Sequence, residues 1–154
     1  MADKEQVHIK LGLSGTYWGK KPQFRVSLND QVLLEDSISA DSDVVEYHEF
    51  DVEYSTDLAQ LKIELLNKEF SDTVQTEDKT GILKDMLLNI ESVEIDEISL
   101  NDIPFRLSEY TPSTPVMWQG VETTTVKNCL NLGWNGAWTL SWANPFYIWL
   151  LETM

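Results

Sequence analysis

Apolar and polar residues alternate at period two through most of the first hundred positions. Val7, Ile9, Leu11 and Leu13 alternate with His8, Lys10 and Gly12, and Phe24, Val26 and Leu28 alternate with Arg25, Ser27 and Asn29. Such alternation predicts strands with one buried face. Asn29-Asp30 is a turn signal, so Val32 to Asp36 should close a hairpin on the second strand. Val45, Tyr47, Phe50, Val52 and Tyr54 mark a further strand, whose outer face carries Glu49, Asp51 and Glu53. The centre of the chain is a strand at Leu61, Ile63 and Leu65, a long acidic loop, and a second strand from Asp85 to Ile95. Residues 57–66 also fit a short amphipathic helix. Ile98, Leu100 and Ile103 surround an Asn101-Asp102 turn.

The last third has a different pattern. Pro104 to Pro115 reads as an extended connector. Beyond it lie five of the six tryptophans: Trp118, Trp134, Trp138, Trp142 and Trp149. Asn135-Gly136 between two alternating runs predicts a tight hairpin pairing Trp134 with Ala137 and Gly133 with Trp138, with Cys129 opposite Trp142. Phe146, Ile148 and Leu150 share one face of a terminal strand, and Tyr147, Trp149 and Leu151 the other. A strand apolar on both faces must be covered on both. Trp134, Trp138, Trp142, Phe146, Ile148 and Trp149 are therefore expected to pack back on the body of the protein or to form an interface with a neighbouring subunit. The expected fold class is all-β: an antiparallel jelly-roll β-sandwich with a Trp-rich C-terminal hairpin and strand extension. It divides into a polar tail (residues 1–6), a sandwich (7–103) and the extension (104–154).

Composition narrows the functional classes. At 42% hydrophobic and 24% charged residues the chain is ordinary for a globular domain, but its net charge of −15 is not. That surface repels phosphate backbones and anionic lipid, so neither nucleic acid nor a membrane is an expected partner. The first residues are polar, without the apolar core of a signal peptide. Cys129 is the single cysteine, so no internal disulfide forms.

The candidate chemistry is mostly oxygen. The central loop brings Asn67, Glu69, Asp72, Glu77, Asp78 and Asp85 towards one sheet edge. Such groups on a flexible loop suit calcium, and they equally suit a solvated acidic loop. Tyr17 and Trp18, in a loop bounded by Gly15 and Pro22, either stack on sugar rings or plug the end of the sandwich. His8 is expected to face solvent. No GxSxG elbow, HExxH pair or P-loop occurs, which argues against an enzyme of those classes.

The segment Lys84-Asp85-Met86-Leu87-Leu88-Asn89-Ile90-Glu91-Ser92-Val93, some twenty residues after Leu65-Leu66-Asn67, resembles the signature of calcium-dependent xylan-binding β-sandwich modules. The resemblance covers residues 7–103 and implies that residues 57–66 form a strand. It aligns Asn67 and Asp85 with positions of the family's metal motif. Lys68 stands where the family has a metal-binding Asp, and Met86 where it has Arg. The implied calcium ligands are Glu69, Asp72 and Asp85, with Tyr17 and Trp18 as glycan contacts. The segments 132–140 and 144–152 also resemble small structural proteins of tailed phages of marine cyanobacteria. That second resemblance implies a virion component, a structural, decoration or fibre protein, forming homo-oligomers or contacting other virion proteins. The other reading is a calcium-assisted module binding host glycans.

Overall fold

A computed structural model describes residues 5–55, 57–118 and 120–154; most of the expected polar tail, residues 1–4, lies outside them. The described residues form an antiparallel β-sandwich, as the alternation predicts. One sheet is built from β1 (Glu5–Thr16), β4 (Glu46–Tyr54), β8 (Leu87–Ile95), β9 (Ile98–Ser99) and β14 (Asn131–Leu132), in the order β14-β8-β1-β4 with β9 also on β8. The other contains β2 (Gln23–Leu28), β3 (Gln31–Ser37), β5 (Leu58–Leu65), β10 (Glu109–Pro112), β13 (Val126–Lys127) and β15 (Gly136–Ala143), in the order β13-β10-β15-β5-β2-β3. Two short ribbons stand apart from these sheets: β6 (Val74–Gln75) with β7 (Ile82–Lys84), and β11 (Val116–Trp118) with β12 (Val121–Thr123). Among the described residues the α-helices are α1 (Ile103–Leu107) and α2 (Phe146–Thr153), and Phe70–Asp72 forms a single 3-10 turn.

The core follows from the period-two pattern. Val7, Ile9, Leu11 and Leu13 of β1 are buried, facing Phe24, Val26 and Leu28 of β2 and Leu61, Ile63 and Leu65 of β5 across the sandwich. On β8 the buried apolar positions are Leu88, Ile90, Val93 and Ile95, a sequence with one odd spacing. A bulge explains it. Gly12 pairs with Ser92 but Leu13 pairs with Ile90, so Glu91 is the extra residue and turns outward. There its carboxylate accepts from Ser14 Oγ at 2.7 Å. The β2–β3 hairpin turns at Asn29 and Asp30, both at positive φ, as the sequence predicts. The outer face of β4 is acidic as expected, and His8 bridges two of its carboxylates, Asp51 at 2.8 Å and Glu49 at 3.1 Å.

The C-terminal third departs from expectation in three ways. First, the segment expected as an extended connector forms α1 and then β10. Second, Asn135-Gly136 is not a hairpin turn. It carries the chain from β14 in one sheet to β15 in the other. Gly136 pairs with Leu65 on one side and Pro112 on the other. With both edges of β15 occupied from its first residue, no place is left for a local partner strand. A side chain at Gly136 would collide with the Thr111 and Pro112 main chain. Third, the expected terminal strand is the helix α2. Pro145 precedes it, and Phe146 and Leu150, four residues apart, share its buried side. A short apolar run suits strand and helix equally, and here no sheet edge was open beside β15 to receive a strand.

The expected interface residues are redistributed accordingly. Trp138 and Trp142 are wholly buried inside this chain, and Phe146 is nearly so. Trp142 packs edge-on against the Phe146 ring. Trp134 and Trp149 are half-buried, and Ile148 is exposed. Residues 104–154 are thus less an appendage than the source of β15, an interior strand of the second sheet.

Candidate functional site

A concavity lies where the central loop meets the crossover segment before β15. It is a cleft of about 550 Å³. Trp118, Trp134, Phe105, Leu87 and Leu130 give it apolar walls, and Asp85, Thr73, Asn128 and Asn131 give it polar points. A second hollow of about 500 Å³ shares Trp134, Gly133 and Thr73 and extends to Lys68, Glu69 and Ser113. Trp134 therefore stands between two recesses.

The rings are held at defined angles. Trp134 lies against Tyr110 with centroids 5.9 Å apart and planes 29° from parallel. Trp118 meets Trp134 edge-on, at 5.7 Å and 80°. The Trp134 amide donates to the Tyr110 hydroxyl at 2.8 Å, and that hydroxyl donates to the Trp134 carbonyl. Burial pushes the Tyr110 phenol well above its usual range, so the donor stays protonated. Trp134 is a braced wall of the cleft. Trp118, on the β11–β12 ribbon, is 40% exposed and is its free-standing wall.

Asp85, which lines the cleft, is paired with Lys68, which lines the neighbouring hollow. Lys68 Nζ donates to Asp85 Oδ1 at 2.5 Å and to the Met86 carbonyl at 2.6 Å. The same Oδ1 accepts from Thr73 Oγ1 at 2.7 Å and from the Met86 amide at 2.8 Å. The side chains of Lys68 and Asp85 are only 10% and 19% exposed. Burial works to raise the Asp85 carboxyl, but the Lys68 ammonium, the Thr73 hydroxyl and the Met86 amide outweigh it and hold it below the usual carboxylate range. Lys68 itself is fixed through its main chain by Asn135. Cys129 also lines the cleft. Its thiol donates to the Asn131 carbonyl, and burial raises its pKa, which makes it a poor nucleophile.

Residues 67–85 are distributed differently from the sequence expectation. Asn67 reaches back to the start of β2, accepting from the Gln23 amide and donating to the Lys21 carbonyl. Asp78 closes the tip of the β6–β7 ribbon, accepting from Thr76 Oγ1 and from both the amide and hydroxyl of Thr80, which draw its pKa down to about 2. Glu69 and Asp72 share Lys20, at 2.8 and 3.1 Å, and Asp72 also accepts from the Glu69 amide. Tyr17 donates to the Ala40 carbonyl. Trp18 donates to the Asp72 carbonyl, and Lys84 stands 5.0 Å from its ring centre. Neither aromatic lines the cleft; both tie loops to the end of the sandwich. The cleft aromatics Trp118 and Phe105 were not singled out by the sequence as ligand contacts. The available signal was Trp118 standing in a loop between Pro115 and Gly120.

Two solved structures share the fold. One is described as vCBM60 in complex with galactobiose; it superposes with a TM-score of 0.54 at 9% identity, over 86% of this chain and 95% of that one. The other is a selenomethionine form of vCBM60, described under a circular permutation linking two families of calcium-dependent carbohydrate binding modules, with a TM-score of 0.52 at 10% identity over 86% and 88%. No protein-family profile and no curated protein sequence matches the chain. The likeness is one of fold: an antiparallel sandwich of the carbohydrate-binding-module type.

Calcium, which that resemblance implies, does not fit the residues present. A calcium ion needs six to eight oxygen ligands converging on one point. Among the described residues no three His, Cys, Asp or Glu side chains converge in this way. Glu69 and Asp72 are bound to Lys20, and Asp85 to Lys68. A divalent cation would have to displace an ammonium group from each, and one of these ammonium groups is nearly buried.

Proposed function

We propose that the chain is a non-catalytic carbohydrate-binding module that holds a neutral glycan against Trp118 and Trp134. The observation that carries this reading is the right-angled pair of indoles beside polar groups in one cleft. The apolar face of a pyranose packs on a flat ring, and a few polar side chains at the ring's edge can then fix the hydroxyls. The net charge of −15 disfavours polyanionic glycans and leaves neutral ones. The fold shared with a module in complex with galactobiose makes neutral galactosyl and xylosyl polymers the first ligands to try.

A binding rather than hydrolytic role is supported by the carboxylates. Glycoside hydrolysis needs two of them flanking one bond. Among the described residues Asp85 is the one carboxylate lining this cleft, and it is already engaged by Lys68. The virion reading rests on a resemblance of residues 132–140 and 144–152 and on the tryptophan-rich C-terminal third as an assembly surface. With Trp138 and Trp142 in the core, the exposed apolar surface of that third comprises Tyr147, Ile148 and Leu151 of α2 and Met154 after it, Met117, Trp118 and Val121 on the β11–β12 ribbon, and Phe105 and Leu107 of α1, and nothing in the fold points to a virion partner for them.

The test is affinity electrophoresis through gels containing neutral galactan or xylan, with galactobiose titrated calorimetrically. The native chain should be retarded. Trp118→Ala, at an exposed position, should weaken binding by about tenfold or more, the equivalent of about 1.4 kcal/mol. Unretarded migration in every neutral polysaccharide, with no heat on galactobiose addition, would refute this function.

A further inference from the structure

We propose that the Lys68 ammonium is the resident cation of the cleft, so that this chain binds its glycan without a divalent metal and uses Asp85 Oδ2 as the acceptor for a sugar hydroxyl. The second half rests on the glycan-binding reading; the first does not.

The geometry around Asp85 is asymmetric. Among the described residues, the donors to Asp85 converge on Oδ1: Lys68 Nζ, Thr73 Oγ1 and the Met86 amide. No described residue donates to Oδ2, although Asp85 lines the cleft. A carboxylate saturated on one oxygen cannot swing away, and its other oxygen keeps its acceptor capacity. Asp85 is therefore pre-oriented, and the pre-orientation comes from a covalently attached cation. A resident calcium ion would have two effects here: it would neutralise the carboxylate and tie the strands of the loop together. Lys68 achieves both. It offsets the charge of Asp85, and by also donating to the Met86 carbonyl it joins the end of β5 to the start of β8. Its main chain is held on both sides by the Asn135 carboxamide, so the ammonium is aimed by a fixed backbone. Asp85 lines the same cleft as Trp118 and Trp134, which places this acceptor in the recess where a sugar would stack on either ring.

The test uses the full chain, Lys68→Met and Lys68→Asp. Thermal unfolding is recorded in millimolar calcium and in chelator, and retention by a neutral polysaccharide gel is recorded under the same two conditions. The native chain should unfold at the same temperature in both, because only a ligand bound to the folded state shifts the midpoint. Lys68→Met should lower the midpoint by about 4–8 °C and gain no calcium response. Lys68→Asp, which restores a carboxylate beside Asp85, should be less stable in chelator and recover in calcium. A calcium-dependent rise for the native chain, or an unchanged midpoint for Lys68→Met, would overturn the assignment. In the gels, retention should be the same with and without chelator, and Asp85→Asn should weaken it; retention lost in chelator would also overturn it. If no polysaccharide retains the chain at all, the glycan reading and the Oδ2 role fall together, and the thermal measurements still decide the role of Lys68.

Discussion

The Asn135 carboxamide hydrogen-bonds both main-chain groups of Lys68: Oδ1 accepts from its amide at 2.6 Å, and Nδ2 donates to its carbonyl at 2.9 Å. A side chain here performs the pairing that a neighbouring strand would supply. It fastens the exit of β5 to the crossover that leads into β15. The Lys68–Asp85 pair and the residue that carries the Trp134 ring are joined at this point.

Removing that clamp should be costly. Asn135→Ala leaves two half-buried main-chain groups without partners, so a loss of about 2–3 kcal/mol is expected in urea unfolding. Asn135→Asp keeps the acceptor and loses the donor, and it places a second anion near Asp85. It should fall between the native chain and Asn135→Ala at neutral pH. Equal stability of all three would show that water replaces the clamp without penalty.

This clamp also explains what the sequence could and could not convey. The period-two strands were legible because each residue's face depends only on its neighbours in the chain. β1, β2, β4, β5 and β8 therefore stand where alternation predicts. Asn135-Gly136 carries the same local signal as a hairpin, yet its outcome depends on Lys68, sixty-seven positions away, and on the two strands flanking Gly136. Lys68 was visible as a departure from a metal motif. That its ammonium would occupy the place of a metal required knowing that residues 68 and 85 meet. Whether Trp138 and Trp142 pack on the body or at an interface is decided by the neighbours of β15, which the local pattern does not name.

Acid should expose the Asp85 interaction. Its carboxyl is held below the usual value in the folded protein, so its contribution is fully present above the unfolded pKa of about 3.9 and is lost as pH falls through the lower folded value. The stability difference between the native chain and Asp85→Asn should therefore be constant near neutrality and shrink below about pH 4. Taking the difference removes the shared titration of the other carboxylates. A difference that stays constant down to pH 2 would contradict the ion pair.

Trp118 and Trp134 should separate binding from stability. Trp118 is exposed and its neighbour in the cleft is Trp134, so Trp118→Ala should cost under about 1 kcal/mol in unfolding while weakening glycan retention. The Trp134 ring is half-buried and stacked on Tyr110, so Trp134→Ala should cost about 2–4 kcal/mol as well as binding. Circular dichroism melts and gel retention on the same samples provide the comparison. Equal losses of stability would mean that Trp118 is a structural plug.

The place of β15 makes truncation decisive about the C-terminal third. An extension packed on an independent sandwich could be removed after Tyr110 and leave the remaining strands folded. In this structure that cut removes the strand between β10 and β5, exposing the edge of β5 along its full pairing from Leu58 to Leu65. It also removes Trp138, Leu140 and Trp142 from the core. Each large core side chain contributes about 2–4 kcal/mol, so their sum is comparable with the whole stability of a typical domain, about 5–15 kcal/mol. The fragment ending at Tyr110 should be unfolded or insoluble, with little β signal in its circular dichroism. A cut after Ala143 removes only α2. It should leave a folded protein destabilised chiefly by the loss of Phe146 and Leu150, with its glycan retention intact. A folded, monomeric fragment ending at Tyr110 would overturn the integration of β15 into the sheet.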